Sequence, residues 1–263
     1  MNIDDFRYMR RGKHIKALPL QQATLLSPID KRNGKKEKAL LLLHGFSSSP
    51  AVFRELVPAL GMYDTILAPV LPGHGESIAA FASVKSKDWL TAAEHACAHL
   101  VQEYSMVDVM GLSLGGLLAC HLSNKFSLHH LYLLAPALAL RLKISPALNL
   151  AYVLQKLGFK KLRNRAGNIC SESSYELAYR QLPIISISEI LGLINTFKFT
   201  PPTCPTDIFL GFYDEVIHSA RVADYFANLP HARVHWLNNS AHVLPLDTDA
   251  ETIVACVQQN WKN

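Results

Sequence analysis

Val107-Asp108-Val109-Met110-Gly111-Leu112-Ser113-Leu114-Gly115-Gly116 is the stretch on which the fold turns. A mostly apolar run climbs into Gly-Leu-Ser-Leu-Gly and passes at once into Leu117-Leu118-Ala119-Cys120-His121-Leu122, which has the composition of a buried helix. Strand, sharp turn and helix in that order put a serine oxygen at the tip of a sheet, in line with the amino end of the following helix. A serine held at strained dihedral angles crowds the residues two before and two after it, and Gly111 and Gly115 occupy those places. Ser113 is the candidate nucleophile.

On either side, apolar runs alternate with helical patterns. Ala39 to Leu43 is continuously apolar and suits a strand buried on both faces, which implies a parallel sheet. Residues 65–70, 130–135, 206–211 and 233–237 read as further strands, with helices expected over 87–104, near 220–229 and from Ala250 to Trp261. Ser49 and Pro50 are expected to start a helix, and Ala23 to Leu26 to form a short strand. Asn33-Gly34 marks a tight corner. Strands and helices at this spacing predict an open α/β sheet with right-handed crossovers. From Leu138 to Thr203 the alternation stops, leaving helical periodicity and no convincing strand. The expected organisation is a core of residues 1–137 and 204–263 with a helical insert, or cap, of residues 138–203.

Composition limits the chemistry. A net charge of +5 without interleaved aromatic and basic residues argues against a nucleic-acid surface. The first residues carry acids and lack the apolar segment of a secretory signal, and no apolar run is long enough to cross a bilayer. The five cysteines are scattered, with no Cys-x-x-Cys pair, as expected of free thiols in a reducing cytoplasm.

A serine hydroxyl needs a base to take its proton and an acid to orient that base. With a nucleophile on a strand-turn-helix of this kind, acid and base follow in the chain, each at the carboxyl end of a later strand. The strand ending near Ala135 is followed by no carboxylate until Glu172, whereas the one ending at Gly211 runs into Asp214-Glu215. Asp214 is the preferred acid and Glu215 its close rival. Of the twelve histidines only His218, His231, His235 and His242 follow it, and His242 alone lies just past a strand's carboxyl end. A tetrahedral intermediate also needs backbone donors, for which the amides of Leu114 and Phe46 are the candidates. His44 is expected to brace that second turn. His95, His99 and Glu94 have metal-like spacing but lack an evident further ligand, and no metal or cofactor is expected in the chemistry.

These blocks, with Pro72-Gly73-His74-Gly75, Asp88-Trp89 and Ser240-Ala241-His242-Val243, resemble the α/β-hydrolase superfamily, and within it bacterial monoacylglycerol-lipase-like serine carboxylesterases. The resemblance implies an α/β-hydrolase fold with a mostly parallel sheet flanked by helices. It also implies cofactor-free cleavage of small or lipid-like carboxylic esters through an acyl-enzyme. It carries over Ser113 as nucleophile, Asp214 as acid, His242 as base and the amides of Phe46 and Leu114 as oxyanion donors. The insert matches no motif. Its two apolar helices nominate Leu150, Leu154, Ile190 and Ile194, with Val243, as walls of an acyl pocket, and the basic run from Lys156 to Arg165 suggests a weak membrane-surface contact. The same residues also suit a thioesterase, an acyltransferase or a peptidase, and a hydrolase-shaped receptor for a small hydrophobic ligand.

Overall fold

The computed structural model describes residues 1–261. In chain order the strands are β1 (Phe6–Arg10), β2 (Lys13–Ala17), β3 (Ile29–Arg32), β4 (Lys38–Leu43), β5 (Thr65–Ala68), β6 (Met106–Leu112), β7 (His130–Leu134), β8 (Lys161–Arg163), β9 (Glu176–Tyr179), β10 (Gln181–Pro183), β11 (Thr206–Gly211) and β12 (Ala232–Leu237). The α-helices are α1 (Ile78–Ser83), α2 (Ser86–Glu103), α3 (Leu114–Ser123), α4 (Ile144–Lys156), α5 (Ile184–Thr196), α6 (Ser219–Asp224) and α7 (Ala250–Trp261).

The central sheet has seven strands in the order β12-β11-β7-β6-β4-β5-β3, all parallel except the edge strand β3, which runs antiparallel to β5. Helices cover both faces, so the inner strands face apolar side chains on each side. Ala39 to Leu43, Leu131 to Leu134 and Ile208 to Leu210 are all buried, which is why they read as continuous apolar runs. Trp89, Ala93, Cys97 and Leu100 form the buried stripe of α2.

Two local expectations are corrected and a third holds. Ala23 to Leu26 belongs to a 3-10 helix, Leu20–Leu26, in which Leu26 alone is buried. The segment after Ser49 forms two short 3-10 turns, Pro50–Phe53 and Val57–Leu60, in place of one helix, with Pro58 renewing the turn. Asn33-Gly34 does turn the chain, Gly34 having φ +89°, but β3 pairs with β5 and not with the adjacent β4.

The insert holds three strands as well as helices. β8 and β10 form a two-stranded ribbon, and β9 pairs with β1 of the amino-terminal hairpin to give the sheet β2-β1-β9. Phe6 packs on Tyr179 with ring centroids 4.4 Å apart, and the amide of Arg180 donates to the Asp5 carbonyl at 2.7 Å. The amino-terminal hairpin is thus bonded directly to residues 176–180.

Candidate active site

Ser113 sits between β6 and α3 with φ +54° and ψ −111°, outside the regions open to an unstrained L-residue. The neighbouring backbone enforces the conformation. A Cβ on Gly111 would overlap the Gly115 carbonyl, and one on Gly115 would overlap the Leu43 carbonyl. Two glycines therefore let strand, turn and helix close on each other and leave Ser113 at the amino end of α3.

Asp214 lies in the loop beyond β11 and is buried at 1% exposure. Its Oδ1 accepts from the amides of Val216 at 2.7 Å and Ile217 at 2.9 Å, which fixes the carboxylate. Its Oδ2 lies 2.7 Å from Nδ1 of His242. A carboxylate oxygen only accepts, so the imidazole proton sits on Nδ1 and the lone pair on Nε2. Burial alone would lower the pKa of His242. The charge and hydrogen bond of Asp214, with the charge of Glu176, outweigh it and hold the pKa above its ordinary value. Glu215, the rival acid, is exposed and makes no bond to His242; its amide donates to Asn168 Oδ1 at 3.0 Å.

The turn after β4 is braced by two buried histidines. His44 Nε2 accepts from the amide of Leu71 at 3.0 Å, and His74 Nε2 accepts from the amide of Ser47 at 3.2 Å. Burial pushes His44 down to about 4 and His74 also well below its ordinary value, so both stay neutral and able to accept. They hold the backbone around Phe46. Among the described residues, neither the Phe46 nor the Leu114 amide donates to a protein acceptor. Ser113, His242, Phe46 and Leu114 all line one cavity of about 460 Å³.

A sequence model of the alpha/beta hydrolase family matches residues 40–255. The chain belongs to the α/β hydrolase family. It is 27% identical over 225 residues to the thermostable monoacylglycerol lipase of a Bacillus species, covering 82% of this chain and 86% of that protein. It is 23% identical over 224 residues to a carboxylesterase of Bacillus subtilis, covering 82% of this chain and 89% of that one. A solved structure from work on the metagenome-derived lipolytic enzymes LipS and LipT superposes with a TM-score of 0.80 at 24% identity, over 90% of this chain and 98% of that one. At that identity the likeness shows the shared fold.

In this α/β hydrolase the cavity walls divide by polarity. Leu140, Leu182, Leu191, Val216 and the expected Ile190, Ile194 and Val243 supply apolar surface. Leu150 and Leu154, nominated as walls, do not line the cavity. The first cap helix, α4, lies outside α5 and buries Ala151 alone, leaving Leu150 59% exposed and Leu154 half-buried. A helix apolar on several faces gives no sign in its sequence of which face meets solvent.

The polar wall comes from residues that sequence reasoning passed over. Asn164, Asn168 and Glu176 reach the cavity from the rear of the insert. Glu176 is buried, and its Oε2 accepts from the amide of Gly167 at 2.7 Å. Burial raises its pKa, with the Gly167 bond and the nearness of His242 opposing. The Asn168 carbonyl accepts from the amides of His242 at 3.0 Å and Val243 at 3.1 Å, so the segment around Asn168 holds the loop that carries His242. An isolated buried Glu and Asn have no spacing signal; Glu176 comes here by the pairing of β9 with β1, and the segment of Asn164 and Asn168 by bonds from the amides of Arg11 and Gly12 to the carbonyls of Gly167 and Ala166. His95 and His99 are exposed, and Glu94 instead accepts from His121 at 2.6 Å and Lys125 at 2.7 Å.

Proposed function

We propose that this chain is a serine hydrolase of carboxylic esters whose acyl part is a chain of several carbons and whose alcohol is small and carries free hydroxyls. One observation bears most of the weight. A strained serine, a histidine with Nε2 free and its aspartate bonded, and two unengaged amides border the same cavity.

The chemistry follows from the geometry. Ser113 Oγ attacks the ester carbonyl as His242 Nε2 takes its proton, and the oxyanion is received by the amides of Phe46 and Leu114. Asp214 steadies the imidazolium without taking its proton. His242 then returns the proton to the alkoxide oxygen, the alcohol leaves, and Ser113 carries the acyl group. Water, deprotonated by His242, attacks this second ester; the carboxylic acid departs and the serine is restored. The acyl chain lies along Ile190, Leu191 and Ile194, and the free hydroxyls of the alcohol face Asn164 and Glu176. The arrangement needs no cofactor.

The relatives named as a monoacylglycerol lipase and a carboxylesterase support the ester as substrate. Outside the cavity, Tyr152, Val153, Leu157 and Phe159 are exposed beside Lys156, Lys160 and Lys161, a surface suited to a lipid interface bearing anionic headgroups. No helix among the described residues is long and apolar enough to cross a membrane.

The test is turnover of p-nitrophenyl esters, monoglycerides and acyl thioesters, with fluorophosphonate labelling of wild type and Ser113→Ala. Ester turnover and labelling that both vanish in the variant are expected. Labelling at another serine with activity retained rejects the assignment, and preference for thioesters moves the enzyme to the thioesterases.

A further inference from the structure

The amino ends of the strands, opposite Ser113, hold a second concentration of titratable side chains. Asp207, the second residue of β11, is 2% exposed and its carboxylate is flanked by two imidazoles. His235 Nε2 from β12 lies 2.6 Å from Oδ1, and His130 Nε2 from β7 lies 2.8 Å from Oδ2. From above, α7 brings Cys256 and, one turn later, Asn260. Cys256 Sγ lies 3.9 Å from His235 Nε2, and donor atoms of Asp207, His235 and Cys256 all fall within 4.8 Å of one another.

We propose that Asp207, His235 and Cys256 form a binding site for a divalent transition-metal ion, zinc being the ion their donor set suits best, which fastens α7 to the floor of the sheet.

The donor set is the first argument. One carboxylate, one imidazole and one thiol give the oxygen, nitrogen and sulfur that zinc accepts together, and carboxylate with thiolate balances its two positive charges. Asp207 gains nothing from a thiol, since His130 and His235 already satisfy it.

The second argument is the crowding around Asn260. Its Nδ2 has two protons for three acceptors, Asp207 Oδ2 at 2.8 Å, Tyr132 OH at 3.4 Å and Cys256 Sγ at 3.7 Å, and also abuts at 3.2 Å the Nε2–H that His130 directs at Asp207. Lone pairs exceed the protons this amide offers. Rotated about its last bond, Asn260 presents Oδ1 as a fourth ligand; otherwise water completes the shell. His130 stays on Oδ2 and orients the ligating carboxylate.

The third argument is access and fit. A cavity of about 390 Å³, lined by His129, His130, His231, Arg233 and Asn260, opens onto Asp207 from solvent. Tetrahedral zinc sets neighbouring ligand atoms about 3.3–3.6 Å apart. The His235–Cys256 separation of 3.9 Å must close by a few tenths of an ångström, and the 2.6 Å hydrogen bond between Asp207 and His235 must open by about 0.7 Å. Protons balance when His235 moves its own from Nε2 to Nδ1 and Cys256 releases one to solvent for each ion bound.

The test starts from the full chain dialysed against chelator and titrated with Co²⁺. A sulfur-to-cobalt charge-transfer band saturating at one equivalent, and its loss on adding Zn²⁺, are expected. Cys256→Ala abolishes the band, whereas Cys170→Ala, which removes another partly exposed thiol, keeps it. Asp207→Asn and His235→Ala weaken binding about tenfold or more. Zn²⁺ raises the Tm of the wild type and not that of Cys256→Ala; if alanine unfolds the chain, Cys256→Ser serves in its place. A wild type that gives no band, or a band that survives removal of the Cys256 thiol, overturns the site.

Discussion

Strand β11 has a buried aspartate near each end, and the two have opposite fates. Asp207 at the start and Asp214 beyond the finish are 2% and 1% exposed, and each is bonded to histidine at 2.6–2.8 Å. The difference lies in which imidazole nitrogen the carboxylate takes. Asp214 takes Nδ1 of His242, which leaves Nε2 to face a cavity shared with Ser113. Asp207 takes Nε2 of both His130 and His235, tying up the nitrogens that point towards it, and no strained serine stands nearby. An aspartate–histidine pair is thus no sign of a general base by itself; the free nitrogen and what it faces make the difference.

The widest separation between the two ends comes from removing the acting groups. Ser113→Ala and His242→Ala are each expected to lower kcat by on the order of 10⁶, since triad members act as a unit. His235→Ala is expected to leave kcat for the same ester unchanged. A His235 variant as inactive as the His242 variant would erase the distinction.

The aspartates give the next largest contrast. Asp214→Asn lowers kcat by on the order of 10⁴, because the amide no longer fixes the tautomer with Nε2 free. Asp207→Asn leaves kcat intact and lowers Tm by several degrees, reflecting about 1–3 kcal/mol for a buried hydrogen-bond partner lost. Steady-state kinetics and thermal melts on the two variants decide it. Activity retained in Asp214→Asn passes the acid's role to Glu215.

The carboxyl end was the more legible of the two, for a physical reason. Parallel strands buried on both faces are apolar through their middles, so β4 and the central stretches of β6, β7 and β11 stand out in the sequence. The elbow needs small residues at fixed distances from Ser113, and topology leaves few positions for acid and base. The floor cluster joins residues 130, 207 and 235, each alone on its strand, with 256 and 260 one turn apart on α7, and no motif links the four elements. Strands β8, β9 and β10 are three or four residues long, too short for a period to show, and β9 finds its partner some 170 positions earlier in β1. The apolar character of α4 points to Leu150 and Leu154 as cavity walls, but it signals burial only where something covers it, and α4 buries Ala151 alone.

With α4 off the cavity, the proposed acyl pocket rests on α5, which gives a middle-sized effect. For neutral esters from acetate upwards, kcat/KM is expected to rise by up to about fourfold per methylene until the cavity fills. Ile190→Trp cuts the rise short, costing tens of fold for longer chains and little for acetate, while Leu150→Ser leaves the series unchanged. A series equally flat in wild type and Ile190→Trp removes the acyl role of α5.

Smaller still is a shift along the pH axis. His242 must be neutral to accept a proton, so activity falls as pH drops through its pKa, which lies above the ordinary imidazole value. The negative charge of Glu176 contributes to that elevation, so Glu176→Gln is expected to move the acid limb of kcat/KM to lower pH. An unmoved limb would leave Glu176 a cavity wall without electrical influence on the base.

The smallest effect concerns the surface outside each end. If ester chemistry belongs to the carboxyl end, contact with a lipid supply belongs there too, on the insert and not on the floor. Lys160 and Lys161 are exposed beside exposed Phe159, and the next residues run through β8 to Arg163 at the cavity rim. Each lysine near an anionic surface contributes about 1 kcal/mol, roughly a fivefold change in partitioning, and the contribution decays within a Debye length. Lys160→Glu is therefore expected to weaken binding to phosphatidylserine-containing vesicles by about fivefold or more at low salt and by less as salt rises, with turnover of a soluble ester unchanged. Arg233→Glu reverses a charge of the same sign on the exposed floor and is expected to leave vesicle binding as it was. Equal losses from both variants would mean that net charge alone draws the protein to the vesicle, and the insert would then have no special claim as its lipid-facing side.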